Sequence, residues 1–184
     1  MTLPGSDDAS ATDAPVTAHE FDRLFADSMG PYLRVYLSVR LADRAAVPAA
    51  LEEVYASLLA TGALIHAGDR QSFQTRAYAL VDKVLPHLGQ PALRKPRPPE
   101  LEERARRFVE LVAGRWHEGF EEAVRATRAL ADKEREAVLL RDYREWTMQE
   151  IAQKLGMSIE AARAFVNAAR EKVRHPRPVP GLDG

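Results

Sequence analysis

Cysteine is absent from all 184 residues, which excludes disulfides, thiolate nucleophiles and cysteine-ligated zinc or iron–sulfur centres. No apolar run approaches the roughly 20 residues of a membrane span, and the first residues carry no basic-then-apolar export signal. A cytoplasmic protein with no membrane partner is therefore expected. An excess of one charge is missing as well: 26 Lys/Arg stand against 27 Asp/Glu, a net charge of −1. That balance excludes a protein that grips nucleic acid with its whole surface. No convincing strand alternation and no internal repeat can be found.

Catalytic constellations are missing too. The five histidines (His19, His66, His87, His117, His175) are scattered, and none stands at a metal-site spacing such as H-E-x-x-H. Glu52-Glu53 and Glu121-Glu122 are adjacent, so on a helix they point in different directions and read as solvated faces, not as an acid/base pair. There is no glycine-rich phosphate loop and no G-x-S-x-G. The chain is expected not to be an enzyme and to use no cofactor or metal.

What is present is helical. Hydrophobic content of 46% and charged content of 29% are those of a soluble globular protein. Residues 1–15 are small, polar and acidic, and read as a disordered arm. Thr17 and Glu20 form a T-x-x-E capping box that opens a helix with Phe21, Leu24, Phe25 and Met29 on one face. Gly30-Pro31 ends it and starts the next, where Leu33, Tyr36, Leu37 and Leu41 continue the stripe. Pro48 marks a third start; Leu51, Val54, Tyr55, Leu58 and Leu59 come after it at amphipathic spacing.

Gly62 and Gly68-Asp69 punctuate a loop, and a fourth helix runs from Ser72 until Pro86 kinks or stops it. GQPALRKPRPPE (89–100), with four prolines in twelve residues, reads as a semi-rigid linker; its basic cluster is either part of a spacer or a contact strip for DNA or a partner. Beyond it lie helical patterns at 100–113 and 116–130, and one capped by Asp132 that carries Ala137, Val138, Leu139 and Leu140 towards Tyr143 and Trp146. The tail 176–184 is too rich in Pro and Gly for regular structure. The expected fold is all-α: two small helical domains, 16–88 and 101–175, joined by the Pro-rich linker.

The most informative stretch is Thr147–Arg174, TMQEIAQKLGMSIEAARAFVNAAREKVR. Thr147 and Glu150 make a second capping box, and Ile151, Ala152 and Leu155 face inward. Gly156 stands where the chain must leave the helix with positive φ, and Ser158 suits the N-cap of the next one. Ile159, Ala162, Val166, Ala169 and Val173 form that helix's buried stripe. This is the pattern of a helix-turn-helix, whose second helix enters the DNA major groove; an ordinary αα-hairpin is the alternative. Residues 147–177 hold six Lys/Arg against three acids, a modest local basic face that can meet phosphates.

The candidate DNA contacts are Ser158, Glu160, Arg163, Asn167 and Arg170. Ser158 and Glu160 lie at a helix N-terminus, where a phosphate or a cytosine amino group can be met. Arg163 suits guanine or phosphate, Asn167 suits adenine, and Arg170 belongs to the basic face. For Arg163 and Asn167 the alternative is a solvated helix face.

The 130–174 segment, LADKEREAVLLRDYREWTMQEIAQKLGMSIEAARAFVNAAREKVR, resembles a bacterial RNA polymerase sigma factor of the small extracytoplasmic-function type, in the sigma-70 family. Leu130, Val138, Leu139, Leu140, Arg141, Asp142, Glu150, Ile151, Ala152, Leu155, Gly156, Ser158, Ala169, Arg170 and Arg174 fit that family's frame. FDRLFADSMGPYLRVYLSVRL, LEEVYASLL and SFQTRAYALVDKV resemble, in the right order, segments of its first domain.

The resemblance implies a region-2-like domain at 16–88 that binds polymerase through Leu51, Glu52, Glu53 and Tyr55, and a region-4-like domain at 101–175 that reads promoter DNA. It also implies core RNA polymerase and promoter DNA as partners. The family's acidic docking run aligns here with the uncharged Ala46-Val47-Pro48-Ala49, and T-V-K-S-R in its recognition helix with Ala161-Ala162-Arg163-Ala164-Phe165. The expected function is that of a divergent transcription initiation factor. Loss of the acidic run suggests activation by added charge, with a kinase as partner and Ser38, Ser57 and Thr61 as the nearest hydroxyls. The alternatives are a sigma-like interaction module for an anti-sigma factor or response regulator, without promoter function, and a DNA-binding regulator that never touches polymerase.

Overall fold

The computed structural model describes residues 17–60, 70–88 and 96–174. The arm 1–15, the loop glycines, Thr61, most of the proline-rich segment and the tail 176–184 lie outside the described residues. Those described form nine α-helices and no strand, so the fold is all-α.

The N-terminal capping box forms as its sequence dictates: Glu20 N–H donates to Thr17 Oγ1 (3.2 Å) and Thr17 N–H to Glu20 Oε2 (2.9 Å). It opens α1 (Ala18–Ser28), and Gly30 begins α2 (Gly30–Arg40). A 3-10 turn at Arg44–Ala46 leads into α3 (Val47–Ala60). Leu51, Val54, Tyr55, Leu58 and Leu59 of α3 are all buried. Helix α4 (Arg70–Val84) gives way at Pro86 to a 3-10 turn, Leu85–His87. Leu24 departs from the expected inward face of α1: it is 57% exposed, while its neighbour Phe25 fills the core between Tyr55 and Phe108.

Helix α5 (Pro99–Ala113) packs on α1 and α3, and its Ala105, Phe108 and Val112 belong to the core of the N-terminal helices. Phe108 stacks on Tyr55 with ring centroids 3.8 Å apart, so 101–113 is bound to the N-terminal helices although the sequence groups it with the C-terminal ones. A buried polar network reinforces this contact. Asp22 receives Arg104 Nη2 (2.6 Å) and Nε as well as the Tyr55 hydroxyl. Burial, and then Asp22, push the Tyr55 hydroxyl pKa up, so it remains a donor at any ordinary pH.

Helix α6 (Glu118–Arg128) starts two residues later than its apolar pattern; Trp116 precedes it and donates from Nε1 to Glu121 (2.7 Å). Helix α7 (Asp132–Val138) is short, with Asp132 as its first residue and not its cap. It runs into a π-turn, Leu139–Tyr143, before α8 (Met148–Leu155) and α9 (Ile159–Arg174). Three apolar clusters result. The largest joins α1–α5 and admits Val124 and Leu139. The second joins Ala137 and Leu140 with Ile151, Ala152, Ala162 and Val166, and a small third one holds Leu130, Val138 and Ala169.

Gly30 lies where α2 packs against α5: a Cβ there would overlap Cγ2 of the fully buried, β-branched Val112. Gly30→Ala is expected to destabilise the protein by about 1–3 kcal/mol through overpacking, read as a lower urea midpoint. An unchanged midpoint would mean that the two helices stand further apart.

Candidate nucleic-acid interface

Local chemistry builds the helix-turn-helix. Glu150 N–H donates to Thr147 Oγ1 (3.2 Å) and Thr147 N–H to Glu150 Oε2 (2.7 Å), so both partners of the box satisfy donors that the helix start leaves orphaned. The backbone donation and then the Thr147 hydroxyl hold the Glu150 carboxyl below its ordinary 4.5. Gly156 takes φ 68° and ψ 42°, the left-handed C-cap, and Met157 N–H reaches back to Ala152 O at 3.0 Å. Ser158 Oγ accepts from Ala161 N–H at 3.1 Å and so starts α9.

The inward stripe Ala162, Val166 and Ala169 is fully buried. Ile159, expected on that stripe, is instead 40% exposed at the first position of α9. The outward face presents Glu160, Arg163, Ala164, Asn167 and Ala168. Arg163 and Asn167 stand one turn apart on it and share one direction. Ser158 and Glu160 are exposed at its N-terminal end, though the Ser158 hydroxyl is already engaged as cap.

Arg170 is placed differently from the other candidate contacts. It is half-buried and turns back onto the π-turn, where Nε (3.1 Å) and Nη2 both donate to the Asp142 carboxylate. That bidentate pair fixes α9 against the turn and engages the guanidinium within the chain. Lys172 pairs with Glu134, and Arg174 with Glu171 at 3.1 Å. Of the local cations, Lys154 and Arg163 have no ion pair with a described residue, and Arg177 lies outside the described residues. Sequence counting overstates the basic face because it cannot see which charges are paired.

The four candidate polymerase contacts also separate. Leu51 and Tyr55 are 1% exposed and lie in the main core, so this arrangement gives neither a surface to present. Glu53 is held by Arg97, which also donates to Ser57 Oγ at 2.9 Å; Glu52 is half-exposed. No group of three or more His, Asp or Glu among the described residues is arranged to hold a metal ion. No helix among them is long and apolar enough to cross a membrane.

Residues 128–175 match the family described as Sigma-70, region 4. The match coincides with α7, the π-turn, α8 and α9, and leaves about three quarters of the chain outside it. No curated protein and no solved structure matches the chain. The segment is thus similar to sigma-70 region 4, a family of DNA-binding regulatory domains and not of enzymes. Its frame residues Gly156, Ser158, Ala169 and Arg170 serve as cap or packing residues here.

Thr147→Ala is expected to cost the region 4 segment about 1 kcal/mol, read as a lower melting temperature. Because folding lowers the Glu150 pKa, its contribution is present above 4.5 and is lost as pH falls below that value. Glu150→Gln should therefore flatten the acid limb of the stability profile. An acid limb unchanged by the substitution would show that the capping carboxylate does not carry it.

Proposed function

We propose that this chain is a transcription initiation factor of the sigma type, in the small extracytoplasmic-function class, that binds core RNA polymerase and directs it to promoter DNA in the cytoplasm. The observation that carries this reading is the region 4 match laid on a well-capped helix-turn-helix whose α9 exposes Arg163 and Asn167. Residues 101–113 are bound to the N-terminal helices, so we assign the polymerase-binding part to 16–113 and the DNA reader to the region 4 segment. Glu52, half-exposed on α3, is the polymerase contact this reading retains, Glu53 being held by Arg97. Arg163 and Asn167 are its base contacts, with Glu160 and the backbone of the Ser158 cap at the helix end.

The family's acidic run falls here on Ala46-Val47-Pro48-Ala49, of which Val47 is buried. Docking therefore lacks an electrostatic attraction, and activation by an added phosphate supplies it. Of the three nearest hydroxyls, Ser38 is 2% exposed and closed to a kinase, Ser57 faces Arg97, and Thr61 lies outside the described residues. A sigma-like interaction module for an anti-sigma factor is the second reading. What favours it is the internal pairing of Arg170, Lys172 and Arg174, which reduces the charge available to phosphates.

Co-purification with core polymerase, followed by promoter-specific transcription in vitro, tests the first reading; absence of core binding in every state of the protein would refute it. Arg163→Ala is expected to weaken specific DNA binding about tenfold and to relax specificity at one base pair. Few phosphate contacts predict a shallow salt slope, near −0.9 per contact. Unaltered affinity of Arg163→Ala for its promoter would remove that side chain from the base-reading role.

A further inference from the structure

The face of α2 is covered by the chain itself. Helix α6 and the π-turn lie across it, bringing Phe120, Val124, Leu139 and Tyr143 against the N-terminal core. Tyr143 meets Tyr36 and Tyr32 at ring-centroid distances of 6.2 and 6.5 Å, and Tyr32 meets Phe120 edge-on at 6.3 Å while remaining 51% exposed. Around this aromatic seam runs a charged rim: Arg44 to Glu121 (2.6 Å), Arg40 to Glu136 (3.4 Å) and Arg144 to Asp82 (2.7 Å). Arg34 lies over the Trp116 ring at 4.1 Å. An apolar centre with a polar, half-exposed rim is the anatomy of an interface between two partners, here met within one chain.

Three unfavourable features gather at this seam. The π-turn replaces regular helical bonding: Arg144 N–H reaches Leu139 O at 3.2 Å and Trp146 N–H reaches Leu140 O at 3.0 Å. Glu145, directly after it, has φ 57°, a left-handed conformation unfavourable for a side chain other than glycine. The Tyr78 hydroxyl, beside Tyr36 at 5.0 Å between rings, is buried with no hydrogen-bond partner among the described residues. Strain and an orphan donor at a joint whose rim is half solvated are what a contact poised to open requires.

We propose that α6 and the π-turn form a clasp that occludes α2 in cis, and that its release exposes the arginine-edged aromatic face of Tyr32, Tyr36 and Arg40 to a binding partner. Closed clasp and bound partner exclude each other, so a variant with an open clasp takes the partner more tightly by the inverse of its former open fraction. The choice of core polymerase as that partner rests on the proposed function; the clasp does not.

The test combines charge reversal with amide hydrogen exchange of the full chain. Glu121→Arg with Glu136→Arg places like charges against Arg44 and Arg40. Exchange across α2 and 139–146 should rise about tenfold while α8 and α9 keep their protection. Adding Arg40→Glu and Arg44→Glu should restore it to within about twofold. Asp82→Arg, remote from α6, should loosen 139–146 in the same direction. Unchanged exchange in both reversed variants, or failure of the restoring pair, overturns the clasp.

Affinity for core polymerase, measured on the doubly reversed variant, should rise at least fivefold. Faster exchange with no gain in affinity overturns the exclusion between clasp and partner. Binding to core by no variant, with exchange behaving as stated, refutes the polymerase reading and leaves the clasp standing.

Discussion

The structure depends on where three consecutive side chains go. Val138, Leu139 and Leu140 are each 3% exposed, yet they belong to three different apolar clusters. Val138 joins Leu130 and Ala169, Leu139 joins the N-terminal helices, and Leu140 joins Ile151 and Val166. Successive positions on a helix point about 100° apart, so one short segment can feed three separate clusters only if all are arranged around it. The turn beyond them widens to a π-turn, and Glu145 adopts a left-handed conformation to redirect the chain into α8. Local regularity yields there to burial of a fully apolar triplet, a trade that burial wins when each side chain contributes about 1.5–3 kcal/mol.

Charge placement on α9 derives from the same joint. Asp142 lies on the π-turn, and the Arg170 guanidinium bends towards it instead of outward. Helix α9 is thereby anchored near its C-terminal end, and its unpaired outward chemistry is a short stretch around Arg163 and Asn167. In the proposed role such a helix would discriminate by a few directed contacts and not by bulk charge, in keeping with a chain of net charge −1.

Features governed by neighbours in sequence were legible before the structure. Both T-x-x-E boxes, the left-handed Gly156 and the Ser158 cap sit where residue chemistry requires them. The amphipathic stripe of α3 was readable for the same reason, because period and burial agree along it. What sequence could not supply were choices between distant partners. Nothing local in LEERARRFVELV says that Phe108 stacks on Tyr55, or that Arg104 meets Asp22 across 82 positions. Tyr55 and Leu51 read as partner contacts from a motif frame, and only packing shows them enclosed. The pairing of Arg170 with Asp142 is likewise invisible in the sequence.

A chain with no cysteine accepts single labels wherever cysteines are introduced, which makes the joint directly measurable. Ala79 on α4 and Glu145 after the π-turn are both exposed, and each lies three residues or fewer from a member of the Asp82–Arg144 pair. Spin labels at these two positions, read by dipolar spectroscopy on the full chain, report whether the region 4 segment rests on the N-terminal helices. One short, narrow distance distribution is expected for the free protein if the segment rests there. A broad distribution centred at long distances would contradict it.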